Sequence, residues 1–263
     1  MVEPLFRLAT DLEPENLSLG GLAKLDPADA KHAISVRRMR VGEAIALTDG
    51  HGLRLRGTVA SIDGQVMSVL VSNVVHEEQP LLHITLVQAL AKGDRDELAI
   101  QAATELGAMM FIPWQAERSV SKWDGPKVTK GVDRWQAIVN EAAKQSLRVF
   151  EPSVGHPLNS KQLAKQIEAG ELGMALVLEP TATQGLVEFF GRLRSSAAVS
   201  ELFGVQSRIS LIVGPEGGIS EGELVSFDAA GAHRVRLGGE ILRTSTAGMA
   251  AISAIQALAG SWK

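Results

Sequence analysis

The 263-residue chain has no cysteine and no tyrosine, only seven phenylalanines and four tryptophans, and no long apolar run. Without cysteine it can form no disulfide, no thiolate metal site and no cysteine nucleophile, and a reducing cytoplasm is the expected compartment. No stretch approaches the roughly 20 apolar residues that a membrane-spanning helix needs, so no membrane partner is expected. The opening sequence MVEPLFRLATDLEPEN is acidic, broken by proline and lacks an apolar centre, unlike a signal peptide. The six histidines are scattered without HExxH or paired ligand spacing, so no metal is expected.

What is present is ordinary globular composition, 45% hydrophobic and 21% charged, at a length comfortable for two domains. The net charge of −4 argues weakly against a nucleic-acid partner. Local charge matters more than the sum. Between Lys31 and Arg56, six basic residues (Lys31, Arg37, Arg38, Arg40, Arg54, Arg56) face only Glu43 and Asp49. Between Glu117 and Arg148, seven basic residues (Arg118, Lys122, Lys127, Lys130, Arg134, Lys144, Arg148) face four acidic ones. These two basic islands are either solvated surface or docking faces.

The first 76 residues read as β-rich. EAIALTDG, LRLRGTVASID and QVMSVLVSNVV are short alternating or β-branched runs separated by DG turn signals, a pattern that predicts a small barrel. Asp26 before Pro27 predicts one helix start within it. HEEQPLL (76–82) marks the domain boundary, and residues 80–263 form the second domain. There strands alternate with helices. Strands are expected at 83–90, in MMFIPW, and at 174–179, 208–214 and 233–237. Helices are expected at 94–107, 130–148, around 184–197, from the Ser220/Glu223 capping box to Gly231, and at 245–260. The alternation predicts a mostly parallel α/β sheet whose ligands bind beyond the strands' carboxyl ends. The last helix is apolar all round and rich in small residues, which fits either a core helix or a dimer interface.

Three strand-end loops carry the chemistry, at 178–180, 214–218 and 237–243. LIVGPEGGIS (211–220) has too many glycines for a plain turn. A phosphate loop would need GxxxxGK[ST]; no lysine follows, and Glu216 would repel phosphate. The dinucleotide spacing GxGxxG is absent too. RLGGEILRTSTAG (236–248) repeats the glycine-rich character after a neighbouring strand. Two such loops can wall a pocket with backbone N–H and C=O groups, which suits a flat, amide-like edge such as adenine, with Ile241 and Leu242 sandwiching the ring. A nucleoside cofactor without phosphate charge, S-adenosylmethionine, fits that description.

GPEGG-I-S-x-x-E followed by LG-x-x-ILR-T-x-TA resembles the 16S ribosomal RNA uridine-N3 methyltransferases of the SPOUT, or α/β-knot, superfamily. HAISVRRMRVGEAIALTDGHG resembles their N-terminal PUA-like RNA-binding domain. Lys92, Glu105-Leu106-Gly107 and Arg118 resemble one further family segment, and Glu141, Gln145, Ser146, Arg148 and Pro152 another, so the likeness covers nearly the whole chain. One departure is Ser245 in RTSTA, where the family often has glutamate; a role for that carboxylate does not carry over. The resemblance implies a C-terminal trefoil-knot domain, a homodimer through it, and S-adenosylmethionine held by Leu178, Glu179, Gly214, Pro215, Gly217, Gly218, Leu237, Gly238, Ile241 and Leu242.

Methylating uridine N3 requires loss of the imide proton and stabilisation of the resulting anion. Arg243, directly after the cofactor loop, is the expected cation; Glu216 and Glu105 are candidate bases, and Glu223 reads as the capping-box partner. N3 lies on the Watson–Crick edge, so the target uridine must be unpaired or extruded. With few aromatic rings, docking is expected to rely on basic residues rather than stacking. The expected contacts to 16S rRNA in the 30S subunit are Arg7, His32, Arg37, Arg38 and Arg40, together with Lys92, Arg118, Gln145 and Arg148. Two alternatives stay open: methylation at another RNA position (2′-O-ribose or guanosine N1), and a non-catalytic ribosome-assembly factor.

Overall fold

The computed structural model describes residues 3–11, 13–195 and 207–262. The chain divides into two compact units, Met1–Gln79 with Ala143–Glu151, and Pro80–Ala142 with Pro152–Lys263. The inclusion of Ala143–Glu151 in the first unit was not foreseen from sequence: nothing in the helical pattern of 130–148 marks its end as belonging elsewhere.

In the first unit, β1 (Leu5–Arg7), β2 (Leu22–Lys24), β3 (Ala44–Thr48), β4 (Leu53–Asp63) and β5 (Val66–His76) form one sheet in the order β1-β3-β4-β5-β2. A bridge between Leu8 and Leu25 joins its two ends, giving the small barrel that the β-rich pattern predicts. Alternate residues of β4 and β5 turn inward, and Leu55, Val59, Met67 and Val69 meet Ile45 and Leu47 in the core. Helix α1 (Pro27–Ser35) starts as its sequence dictates: Pro27 fills the first turn, and the Asp26 carboxylate accepts from the amides of Ala28 at 2.9 Å and Asp29 at 3.4 Å.

The second unit is a parallel sheet with helices on both faces. Its strands are β6 (Leu82–Ala89), β7 (Met110–Gln115), β8 (Ser153–Val154), β9 (Leu158–Asn159), β10 (Met174–Leu178), β11 (Ser207–Val213) and β12 (His233–Val235). They run in the order β12-β10-β11-β6-β7, with β8 and β9 both pairing to β7. A sheet covered on both sides needs strands that are apolar throughout. Ile84, Leu86, Phe111, Leu176 and Leu211 point to one face; Val87, Trp114, Val177 and Ile212 point to the other. The first face receives α2 (Arg95–Glu105), α3 (Pro126–Gln145), α5 (Leu186–Ser195) and α7 (Thr244–Ala259); the second receives α4 (Ser160–Glu168) and α6 (Glu221–Ala229).

The structure corrects some sequence boundaries. Helix α3 begins at Pro126, using proline at its first turn, and stops at Gln145 rather than 148. Helix α4 was not anticipated, although Asn159 and Gln162 form a capping box and Leu163 and Ile167 provide its buried side. The last two residues of the helix expected at 184–197 lie outside the described residues.

The chain's final passage defines the fold class. β12 lies at the sheet's edge, yet α7 packs in the middle, with Ala251, Ile252 and Ile255 in the same cluster as Leu86 and Val213. The return segment runs against the loop that follows β10: the Arg236 amide donates to the Gln184 carbonyl at 2.9 Å, and the Leu186 amide to the Arg236 carbonyl at 2.8 Å. Close approach of α7 to the sheet relies on Gly248, where a Cβ would lie 3.0 Å from Leu86 Cδ1. This return of the chain agrees with the α/β-knot fold that the resemblance implies.

The Ser220/Glu223 capping box forms as its spacing predicts. The buried Glu223 carboxylate does more: Oε1 accepts from the Glu117 amide at 2.7 Å and the Ser160 hydroxyl at 2.6 Å, while Oε2 accepts from the Ser220 amide at 2.9 Å. It ties α6 to α4 and to the loop after β7. Glu223→Ala leaves these donors unmet and should lower unfolding stability by about 2–3 kcal/mol, read as a reduced urea midpoint; an unchanged midpoint would refute the bracing role.

Candidate functional site

The loops after β10, β11 and β12 converge at the carboxyl ends of the strands around a cavity of about 400 Å³. Parallel pairing of β10 with both β11 and β12 brings these ends together. Nine of the ten residues expected to hold the cofactor line it: Leu178, Glu179, Gly214, Pro215, Gly218, Leu237, Gly238, Ile241 and Leu242. Gly217 instead packs against Arg118, whose guanidinium donates to the Gly217 carbonyl at 3.1 Å. Its contribution is to fix the loop rather than to wall the cavity.

The walls combine apolar side chains (Val213, Ile219, Val235, Ile241, Leu242) with exposed loop backbone and three carboxylates, Glu179, Glu216 and Glu240. Arg95, Arg236 and Arg243 line it as well, so the wall carries both signs of charge, which suits a ligand with a flat apolar part and charged groups of both signs. Outside the three expected loops, sequence reasoning missed Arg95, Arg236, Thr244 and Ala247 among the lining residues. Thr244 had a signal, since it follows Arg243 directly; Arg95 had none.

Glu216 is clamped. Its Oε1 accepts from the Arg95 guanidinium at 2.8 Å and from the Lys92 amide at 3.2 Å. Partial burial raises its pKa, but hydrogen bonds from its own amide, Arg95 and Lys92 outweigh that and hold the carboxylate below the usual range. Arg243 is the N-cap of α7, lines the cavity and has no ion pair among the described residues. Next to it, Thr244 is buried; its hydroxyl donates to the Gly214 carbonyl at 2.8 Å and accepts from Gln88 Nε2 at 2.9 Å. Ser245, where the resemblance suggested glutamate, is buried in the first turn of α7.

Glu105 does not reach this site. It is exposed on the last turn of α2, bonded by Gln101 at 3.3 Å, and α2 has carried the chain back from the carboxyl end of β6 to the start of β7.

The basic residues separate into outward and inward groups. Arg37, Arg38 and Arg40 are exposed in the first unit and make no ion pair among the described residues; Lys92 and Arg118 are exposed in the second. His32 is half-buried with its ring near Phe6, 6.3 Å between centroids. Arg7 faces inward: it pairs with Glu151 and donates to the Asp49 carbonyl at 3.0 Å, and burial lowers its pKa. Arg148 is also withdrawn from solvent, and burial pushes its pKa down to about 10. Gln145 is exposed at the end of α3. The expectation that Arg7 and Arg148 face RNA is therefore corrected by burial and, for Arg7, by its internal partners.

The parallel sheet with its strand-end cavity is that of an RNA methyltransferase domain. Residues 77–256 match a family described as RNA methyltransferase domain, and residues 25–66 one described as RNA methyltransferase PUA domain. Ribosomal RNA small subunit methyltransferase E of Mycobacterium tuberculosis is 40% identical over 247 residues, 92% of this chain and 89% of that one. Its counterpart in Bacillus subtilis is 33% identical over 228 residues, 86% of each chain. The crystal structure of ribosomal RNA small subunit methyltransferase E from Neisseria gonorrhoeae, bound to S-adenosyl methionine, superposes with a TM-score of 0.78 at 28% identity and covers 98% of both chains. The chain belongs to the RNA methyltransferase family of these ribosomal RNA small subunit methyltransferases E.

A second titratable group lies beside the clamp. Burial raises Asp96 from 3.8 to about 6, against the lowering effect of hydrogen bonds from the Ala91 and Glu97 amides. The folded-state value exceeds the unfolded one, so between about pH 4 and 6 the native state holds the extra proton, and stability falls as pH rises through that window. In Asp96→Asn the urea midpoint should fall less between pH 4 and pH 7 than in the wild type; equal falls in the two proteins would contradict this.

Proposed function

We propose that the protein transfers a methyl group from S-adenosylmethionine to N3 of a uridine in 16S rRNA of the small ribosomal subunit, acting in the cytoplasm as a homodimer through its α/β-knot domain. The observation that carries this reading is the cavity at the ends of β10, β11 and β12, in a chain belonging to the RNA methyltransferase family. Its residues suit the cofactor: backbone of the glycine loops and the side chains of Leu178, Leu237, Ile241 and Leu242 for the adenosine part, carboxylates for the cationic part. When bound, S-adenosylmethionine supplies an electrophilic methyl group. The half-buried positions Ala250 and Ser253 of α7, outside the core cluster, support the homodimer. No helix among the described residues is long and apolar enough to cross a membrane.

The chain's own contribution is electrostatic positioning. The uridine imide proton leaves to solvent, and the negative charge left over N3 and its two flanking carbonyls meets the Arg243 guanidinium. Arg243 stands at the N-terminus of α7, whose aligned peptide dipoles add to the same field. Glu216 is a poor proton acceptor, because a carboxylate held below its usual pKa by Arg95 and Lys92 has little affinity for a proton. It serves as a wall. Arg37, Arg38 and Arg40 of the PUA-like unit, with Lys92 and Arg118, supply phosphate contacts, and His32 a polar one.

Methyl transfer to isolated 30S subunits and to naked rRNA, with the product mapped by mass spectrometry, tests the reaction. Methyl at uridine N3 supports it; methyl at ribose O2′, at guanosine N1 or nowhere overturns it. Arg243→Ala should lower kcat by roughly 10²–10³-fold, as loss of an anion-stabilising donor does, while cofactor affinity by calorimetry stays within about threefold. Unchanged turnover with intact cofactor affinity would remove Arg243 from its role.

A further inference from the structure

A second cavity, of about 350 Å³, lies in the same unit as the cofactor cavity, and one of its lining residues, Asp96, follows Arg95 of the cofactor cavity directly in sequence. Ala91, Gly93, Asp96 and Glu97 form one side; Lys122, Trp123, Lys127 and Lys130 are on the other. Arg95, within the same short segment, lines the cofactor cavity and holds Glu216. Residues 91–97 thus contribute to both cavities.

The charges around this second cavity are unevenly spent. Asp96 is buried, with its oxygens taken by the amides of Ala91 and Glu97. Glu97 is held by the Arg134 guanidinium through both carboxylate oxygens. Lys122, Lys127 and Lys130 are exposed and have no ion pair among the described residues. Three ammonium groups thus face a cavity whose acids are already occupied. The cavity is too large for a lone phosphate, and one wall is a flat ring. Trp123 meets Trp135 edge-on, 5.3 Å between centroids, and lies so close over Gly131 that a Cβ there would sit 2.6 Å from the ring. Flat ring plus lysines matches base plus phosphate.

We propose that this cavity takes an RNA nucleotide flanking the methylated uridine, with Lys122, Lys127 and Lys130 each on a phosphate, its own or an adjoining one, and Trp123 beside its base. This rests on the RNA methyltransferase reading above, and it runs the substrate strand past residues 91–97.

The test compares the wild type with the triple variant Lys122→Gln, Lys127→Gln, Lys130→Gln in filter binding to a 16S rRNA fragment across a salt series. RNA affinity should fall at least about tenfold near physiological salt. The slope of log affinity against log salt should flatten by about 2, since each single-strand phosphate contact contributes about 0.7. KM for RNA should rise with kcat held, and S-adenosylmethionine affinity should not change. The triple arginine variant should restore the slope. Unchanged RNA affinity and slope in the glutamine variant overturns the proposal. If the triple variant does not fold, each single variant should still flatten the slope by about 0.7, and three unchanged slopes overturn the proposal equally. A wild type that binds RNA yet transfers no methyl defeats the proposed reaction, while the slopes still decide this site.

Discussion

Gln88, Thr244 and Gly214 form a buried hydrogen-bonded chain on which the cofactor cavity depends. Gln88 has no solvent exposure, and its amide donates to a hydroxyl 156 residues away in sequence, which in turn donates to the Gly214 carbonyl. A buried amide or hydroxyl left without a partner costs about 1–3 kcal/mol, so alternative placements of α7 are penalised at both ends of the chain. The three residues come from the end of β6, the start of α7 and the loop after β11. Holding them together sets the register of α7 against the sheet. It also fixes Arg243, the residue immediately before Thr244, at the cavity's rim.

The same constraint explains why a helix of small residues closes the fold. Gly248 lets α7 approach Leu86 and Val213 without a side chain between. Ala251, Ile252 and Ile255 then complete the apolar cluster beneath. Bulk at those positions would lift the helix and lengthen the Thr244–Gly214 bond. Packing and polar pairing thus act on one geometric quantity, the distance from α7 to the sheet.

Much of this is legible in the sequence because the signals are local. The run LIV followed by three glycines within five residues announces a strand ending in a loop, and the Ser220/Glu223 spacing announces the helix after it. The alternation of strand and helix gives the parallel sheet, and the sheet tells which loop ends share a site. What stays hidden is long-range. Neither Arg95 nor Lys92 carries any mark of pairing with Glu216, over 120 residues later. Glu105 looks catalytic by resemblance, yet a helix returns it to the far end of the strands. Arg7 and Arg148 read as basic surface until burial and, for Arg7, the Glu151 partner account for them. Helix α4 was missed for a different reason: Asn159 and Gln162 are a weaker announcement than serine and glutamate, and the segment is short.

Charge placement reconciles a net charge of −4 with a nucleic-acid substrate. In the cofactor cavity three carboxylates, Glu179, Glu216 and Glu240, are matched by Arg95, Arg236 and Arg243. Around the second cavity basic charge is in excess, because Asp96 and Glu97 are consumed internally while Lys122, Lys127 and Lys130 make no ion pair among the described residues. The Arg95 guanidinium and the Lys92 amide hold the Glu216 carboxylate in the wall of the cofactor cavity.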